Sequence, residues 1–346
     1  MNRLAKHKDG EPRIGVIGCG AITEAFYLPA IMKMPNVARN AVLIDRDLSR
    51  VRGIAEKNGI KDYMDNYRDI LGEVQGVIIA LPNHLHCEVS MEFLKQGIHV
   101  LCEKPLAENM KEAREMVDQA KAANVTLSVN NTRRLYPAYK EIRKLIQNGS
   151  IGRLGEINYI NGFRFQWPTA SGFYFNHNRG KAKGVLFDQG SHVIDAVCWW
   201  IGAKPKVISC ETDSHGGCEG MAVVGLKSGE CKIEIKLSWL SELKNTFKIA
   251  GEEGTIEGKI EEWNGFRFKR GNGESKKISM NGGERNYREF GEKLVKNFID
   301  VITHQAQPII PGKDVLDSIE VIEECYRIAT KMSDPWYENL EVQHGR

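Results

Sequence analysis

The chain has 346 residues, 42% of them hydrophobic, which suffices for two domains with proper cores. A formal net charge of only +3, with no dense Lys/Arg run interleaved with aromatics, excludes a nucleic-acid binder. Strand-length apolar runs exclude a membrane span, the charged start Met1 to Pro12 lacks the apolar core of a signal peptide, and eight cysteines without a Cys-x-x-Cys pair point to a metal-free protein of a reducing, cytoplasmic compartment.

After a charged tail, residues 1–12, the first apolar run is Ile14-Gly15-Val16-Ile17. It reads as a strand that leads straight into Gly18-Cys19-Gly20 and a helix opening at Ala21 and Ile22. Two glycines in this position allow a tight turn and a close backbone approach to a pyrophosphate, whose charge is held by helix N-terminal amides. Thr23 stands where the third glycine of a dinucleotide fingerprint would be, which predicts looser packing of helix on strand. A second strand, Ala41 to Ile44, ends in Asp45, where an acid reaches the adenosine ribose. Arg46 follows and pulls the other way, toward a 2′-phosphate. A third strand, Val77 to Leu81, ends in Pro82-Asn83 ahead of His86.

The fourth strand, around Ile98, Val100 and Leu101, stops abruptly at Glu103-Lys104-Pro105. Open α/β sheets bind ligands at this edge. Pro105 restricts Lys104 to extended or turn backbone and admits a cis bond. Taken alone, the segment reads as a solvated strand end with a surface lysine; the company it keeps along the chain reverses that reading. The alternation of strands and helices predicts a parallel sheet with right-handed crossovers, a Rossmann domain over 13–135. Lys111 to Asn124 is one of its helices, with Ala113, Met116, Val117 and Ala120 on one face.

A boundary is predicted at Tyr136-Pro137, with a second α/β domain over 136–346. A helix ends at the Asn148-Gly149 stop signal. Strands are predicted at Ile157–Ile160, Phe163–Phe165, Val207–Cys210, Met221–Leu226, Cys231–Trp239 and Phe247–Ala250, building a large, mostly antiparallel open sheet. Phe290–Ile302 and Val315–Met332 are closing helices. Gln166 to Arg179, with Trp167, Phe173, Tyr174 and Phe175, is aromatic and irregular: a substrate loop for sugar faces, or an oligomer contact. In Lys183 to Val197, a helix would stack Asp188, His192 and Asp195 on one face, at i, i+4 and i+7, opposite Val193, Ile194, Val197 and Trp199-Trp200. Burying three ionisable groups is costly unless they are hydrogen-bonded, so an amphipathic helix with a solvated acidic face is the competing reading.

Gly18-Cys19-Gly20-Ala21-Ile22, Pro82-Asn83 with His86, Glu103-Lys104-Pro105 and Asp188-x-x-x-His192-x-x-Asp195 together resemble the glucose-fructose oxidoreductase / inositol dehydrogenase / MocA family, from about Arg13 to the last helix. The resemblance implies an N-terminal Rossmann domain for NAD, with NADP as the alternative, and a C-terminal domain whose sheet supplies the substrate wall. It implies catalytic roles for Lys104, Asp188 and His192. It implies cofactor contacts from Gly18, Gly20, Ala21, Ile22, Asp45, Arg46, Leu81, Pro82, Asn83, His86, Glu103, Lys104 and Asn131. Substrate contacts are implied for Lys104, Thr132, Arg133, Trp167, Asp188, His192 and Asp195. For Arg133 and Arg134 the alternative is the exposed start of a helix. Two departures from the family stand out: Asn130-Asn131 replaces a Gly-aromatic pair, and Lys183-Gly184 replaces a glycine pair.

The implied chemistry is hydride exchange between a nicotinamide and a secondary carbinol of a sugar, cyclic polyol or sugar derivative. An imidazole with an ordinary pKa near 6.5 is neutral enough to take the hydroxyl proton, and Asp188, one turn back, would hold its tautomer. Lys104 would offer positive charge at the developing alkoxide. Either Lys104 or His192 serves as the formal base, and no metal is required. A lyase or glycosidase using bound NAD for transient oxidation would keep the same residues, whereas a non-catalytic NAD(P)-binding sensor would be expected to lose the Lys or the His. A homo-dimer or homo-tetramer through the C-terminal sheet is expected.

Overall fold

The computed structural model describes residues 12–168, 183–214 and 217–333. They fall into two compact units: 12–141, 167–168 and 280–320 form the first, and 142–166, 183–279 and 321–333 the second.

The first unit begins with β1 (Ile14–Ile17), whose four residues are all buried, and a glycine turn. A single π-helical turn, Thr23–Tyr27, α1 (Leu28–Met32) and α2 (Pro35–Asn40) lead to β2 (Ala41–Ile44). Next come α3 (Leu48–Asn58), β3 (Asp62–Met64), β4 (Gly76–Ile79), α4 (His86–Lys95), β5 (His99–Glu103), α5 (Met110–Ala122) and β6 (Leu127–Asn130). The strands form a six-stranded parallel sheet in the order β3-β2-β1-β4-β5-β6. That order reverses between β1 and β4, the place where doubly wound sheets open a crevice. β1, β2 and β4 are buried along their whole length, as expected for strands covered on both faces. Side chains set the helix starts. Asp47 accepts the Arg50 N–H at 3.0 Å to begin α3. Asn109 accepts the Glu112 N–H at 3.0 Å to begin α5, while Glu112 reaches back to the Glu108 N–H, a capping-box arrangement shifted by one residue.

The helix α6 (Pro137–Gln147) leads to β7 (Leu154–Gly162), α7 (Val185–Ile201), β8 (Lys206–Thr212), β9 (Met221–Ser228), β10 (Cys231–Ser238), β11 (Thr246–Gly251), β12 (Gly254–Lys259), β13 (Gly265–Arg270) and β14 (Lys276–Ser279). With β15 (Thr330–Lys331) these strands form a nine-stranded sheet, β14-β13-β12-β11-β7-β10-β9-β8-β15. It is antiparallel except at β7–β10 and β8–β15. Along β10 the alternation runs from Cys231 to Leu237: Cys231, Ile233, Ile235 and Leu237 are buried, while Lys232, Glu234 and Lys236 are exposed. The inner face packs on α7 through Trp200, whose ring lies 6.2 Å from Tyr159 and 5.3 Å from Phe247. Aromatic pairs of this kind contribute about 0.5–1.5 kcal/mol each beyond their buried area.

The last helices depart from the sequence reading. α8 (Tyr287–Ile302) belongs to the first unit, where a Cβ on Gly76 would lie 2.5 Å from Ile302 and 3.1 Å from Phe298. The predicted helix from Val315 to Met332 is a 3₁₀ turn, Gly312–Val315, followed by α9 (Leu316–Ile328) and then β15 beside β8. Phe163–Phe165 is not a separate strand; its amides donate to Ser238 O and Trp239 O and prolong the β7–β10 edge.

Candidate functional site

The glycine turn sits at the carboxyl end of β1. Gly18 has φ +96°, and a Cβ there would lie 2.3 Å from Ala80 O, so only glycine fits between the ends of β1 and β4. Around Gly20 a Cβ would meet nothing within 4 Å among the described residues, which leaves the backbone open to a ligand. Thr23 does not loosen the turn. Its buried hydroxyl donates to Gly18 O at 2.5 Å and fastens the helix to the strand it follows. Asp45, at the end of β2, accepts the Cys19 N–H at 2.9 Å and the Asp47 N–H at 3.0 Å. Arg50, which the sequence reading did not single out, lies 3.9 Å from Asp45 and 3.4 Å from Asp47, and Arg46 is exposed.

The carboxyl ends of β4 and β5 carry the next group. The Lys104–Pro105 bond is cis, and Lys104 is partly exposed. Glu103 is buried; its Oε1 accepts Tyr27 OH at 2.6 Å and Asn130 Nδ2 at 2.7 Å, and its Oε2 accepts the Lys104 N–H at 3.2 Å. Burial pushes its carboxyl above the usual range, against the pull of those donors and of Lys104.

His86 corrects the expectation of a cofactor contact. It has no exposed surface, and its ring nitrogens lie 2.8 Å from Pro105 O and 2.9 Å from Leu81 O. It braces the two strand ends. Burial lowers its pKa. A depressed folded-state value contributes nothing well above pH 6.5; as the pH falls below that, the unfolded chain protonates first and stability is lost. The fall in Tm between about pH 7.5 and about pH 5.5 should therefore be smaller in His86→Gln than in the parent, and equal slopes would show that His86 carries none of it.

Leu81 and Pro82 are partly exposed at the same edge, whereas Asn83 is buried. Asn131, after β6, is buried, and its Oδ1 has no hydrogen-bond partner among the described residues. An orphaned buried acceptor costs roughly 1–3 kcal/mol unless a ligand donor meets it. Open backbone at Gly20 and this waiting acceptor both fit a bound dinucleotide. Thr132 and Arg133 are buried; the Thr132 hydroxyl donates to Asn130 Oδ1 at 2.8 Å. Arg134 is buried too, and donates to Asp314 O at 2.7 Å. Neither arginine stands on an exposed helix start.

In the second unit, α7 carries Asp188, His192 and Asp195 at the predicted helical spacing. The solvated acidic face is overturned: Asp188 is 6% and Asp195 1% exposed, because the helix is wrapped on nearly every side. His192 is half-buried. Asp188 Oδ2 accepts Gln189 Nε2 at 2.9 Å. The Lys183 ammonium lies 4.2 Å over the Phe187 ring, so this extra cation is directed to an aromatic face.

The start of α7 rests on a residue the sequence reading missed. Glu219, itself buried, accepts the Gly184 N–H at 2.9 Å, the Leu186 N–H at 3.0 Å and Tyr326 OH at 2.7 Å on one oxygen. Gly184 is obligatory beside it, since a Cβ would lie 1.9 Å from Glu219 O. Glu219→Ala orphans three donors and should cost about 2–4 kcal/mol, read as a lowered Tm. Glu219→Gln keeps the acceptor and should stay near the parent. Burial raises the Glu219 pKa, so its cost is absent below the unfolded value of about 4.3 and appears as the pH rises through the folded value. The Gln variant should therefore gain on the parent in Tm as the pH rises above the unfolded value of about 4.3. A Gln variant as unstable as Ala would remove the hydrogen-bonding account.

Residues 12–131 match the family described as "Oxidoreductase family, NAD-binding Rossmann fold", and residues 139–257 match the GFO/IDH/MocA C-terminal domain. The chain belongs to the GFO/IDH/MocA oxidoreductase family. Rhizopine catabolism protein MocA of Rhizobium meliloti is 31% identical over 216 residues, which cover 60% of this chain and 64% of MocA, slightly under two thirds of its length. The 1,5-anhydro-D-fructose reductase of Ensifer adhaerens is 28% identical over 265 residues, 71% of this chain and 75% of the reductase. A levoglucosan dehydrogenase in complex with NADH and levoglucosan shares the fold, with a TM-score of 0.80 at 19% identity over 92% of this chain and 97% of that one.

Within this family member, the first unit gathers Gly18, Gly20, Ala21, Ile22, Asp45, Leu81, Pro82, Glu103 and Lys104 at one edge of the parallel sheet, the carboxyl ends of β1, β2, β4 and β5. Trp167 is 42% exposed. The remainder of the aromatic segment expected to meet substrate, from Thr169 to Arg179, lies outside the described residues. Among the described residues, no helix is long and apolar enough to cross a membrane.

Proposed function

We propose that this protein is an NAD(P)-dependent dehydrogenase or reductase acting on a secondary alcohol of a sugar, cyclic polyol or sugar derivative. The observation that carries the reading is that the glycine turn, Asp45 and Lys104 stand at the carboxyl ends of β1, β2 and β5 of one parallel sheet. That edge is where such sheets take a dinucleotide and its co-substrate. Gly18, Gly20, Asp45 and Asn131 would hold the dinucleotide, which when bound supplies the hydride acceptor or donor. Lys104 offers an ammonium to the carbinol oxygen, where negative charge develops. His192 takes or returns the hydroxyl proton, and Asp188 holds its useful tautomer. Thr132, Arg133, Trp167 and Asp195 contribute to substrate recognition. The relatives' names direct the choice of substrates toward anhydrosugars and related polyols.

The protein acts in the cytoplasm, a setting that suits eight cysteines none of which forms a disulfide. Its dimer or tetramer forms through the outer face of the nine-stranded sheet, where Lys232, Glu234 and Lys236 alternate in charge. The test is turnover of levoglucosan, 1,5-anhydro-D-fructose, myo-inositol and glucose with each dinucleotide, followed by nicotinamide absorbance and product analysis. Stoichiometric change in absorbance with a sugar product supports the reading. Sugar conversion without any absorbance change would replace it with a transient-redox lyase or glycosidase, and dinucleotide binding without conversion of any of them with a sensor.

A further inference from the structure

The chemistry proposed above makes no use of Tyr27, although it is among the largest wholly buried side chains. It closes the π-helical turn Thr23–Tyr27, in which the Leu28 N–H reaches back to Thr23 O. Turns of this kind break the regular helical stagger and recur at functional sites. From there the phenol donates to Glu103 Oε1, a contact 76 residues apart in sequence. Asn130 donates from Nδ2 to the same oxygen and, at 3.1 Å, to the Tyr27 oxygen. Its own Oδ1 takes the Thr132 hydroxyl, which fixes the amide with its NH₂ toward Glu103. Asn130 belongs to Asn130-Asn131, one of the two pairs at which this chain departs from the family pattern.

These contacts divide the carboxylate's work. Oε1 is held by two side-chain donors, and Oε2 is left for the Lys104 backbone N–H at 3.2 Å. A buried carboxylate stays ionised only when donors replace its water. The other titratable groups around it are poor competitors for charge. Tyr27 and Tyr287 of α8 are both pushed up, by burial first and by Glu103 second, and so is the Cys102 thiol. Lys104 is the cation among the groups that act on Glu103.

We propose that Tyr27 and Asn130 are positioning residues that act through Glu103 on Lys104: their two donors hold the carboxylate, and the carboxylate fixes the backbone of the lysine. The inference rests on the assignment of Lys104 to the carbinol oxygen proposed above. Tyr27→Phe should lower kcat about tenfold on the best substrate of those tested, with the dinucleotide Kd unchanged within about twofold. The acid limb of the kcat profile should move up in pH, because a carboxylate with one donor fewer takes up a proton sooner. In a Glu103→Gln background Tyr27→Phe should add less than about twofold.

A Tyr27→Phe protein with a lowered Tm but the parent's kcat and pH profile would leave Tyr27 a packing residue and overturn the inference. A tenfold loss that persists undiminished in Glu103→Gln would show that Tyr27 does not act through Glu103. The two levels are separable. Lys104→Met at the parent's rate removes the assignment of Lys104 itself, whereas an inactive Lys104→Met beside an unaffected Tyr27→Phe removes only the role of Tyr27.

Discussion

Lys104→Met should lower kcat by roughly 10²- to 10³-fold, the span typical of removing one group that stabilises a developing oxyanion. Methionine keeps the length of the side chain and removes its charge. The proposed dinucleotide cradle, Gly18, Gly20, Asp45 and Asn131, does not depend on that charge, so the cofactor Kd should stay within about threefold. His192→Asn and Asp188→Asn should each fall in the same range or somewhat above it, with substrate KM moving less than kcat. Stopped-flow turnover at saturating cofactor, together with cofactor titration by fluorescence, measures both quantities. Activity within about threefold of the parent would take Lys104 out of the mechanism. A weakened cofactor Kd at unchanged kcat would recast it as a cofactor ligand.

The parent should prefer NAD to NADP by at least about tenfold in kcat/KM, equivalent to about 1.4 kcal/mol. Asp45 is the reason. Its carboxylate is anchored by the Cys19 and Asp47 amides, so it cannot swing aside from a 2′-phosphate. Each oxygen still has acceptor capacity for ribose hydroxyls. Arg46 is exposed, and Arg50 stands 3.9 Å from Asp45. Both are placed to welcome a phosphate once the carboxylate is gone. Asp45→Ser should therefore lose efficiency with NAD, gain it with NADP, and narrow or invert the preference. Because the Asp45–Cys19 bond also secures the glycine turn, some loss with both cofactors is expected. A parent that favours NADP tenfold would mean that the arginines dominate and that the ribose assignment of Asp45 is wrong.

Four of the six strands of the parallel sheet, β1, β2, β4 and β5, were legible because their signals are local. Four-residue apolar runs buried on both faces, each followed by a turn and a helix, can be read without knowing what lies against them. The helical spacing of Asp188, His192 and Asp195 was legible for the same reason. β13 and β14 escaped notice: Arg267, Lys269, Arg270, Lys276, Lys277 and Ser279 are exposed, and so little of either strand is buried that the alternation marking β10 is faint. The return of α8 to the first sheet depends on Gly76 lying beneath Phe298 and Ile302, a contact that spans most of the chain.

The amino-acid sequence by itself determined that strands and helices alternate, that glycine closes the turn after β1, and that an acid and an amine stand at the end of β5. Those properties follow from neighbours one to four residues apart, where backbone sterics and side-chain period decide. Only the tertiary structure decided that α7 is buried on its acidic side as well, that Thr23 secures the turn instead of loosening it, and that His86 braces two strand ends. It alone joined Tyr27 and Asn130 to Glu103, and Glu219 to Tyr326 and the first amides of α7. A buried polar group must find a partner wherever the chain brings one, and a partner 76 or 107 residues away leaves no periodic mark in the sequence.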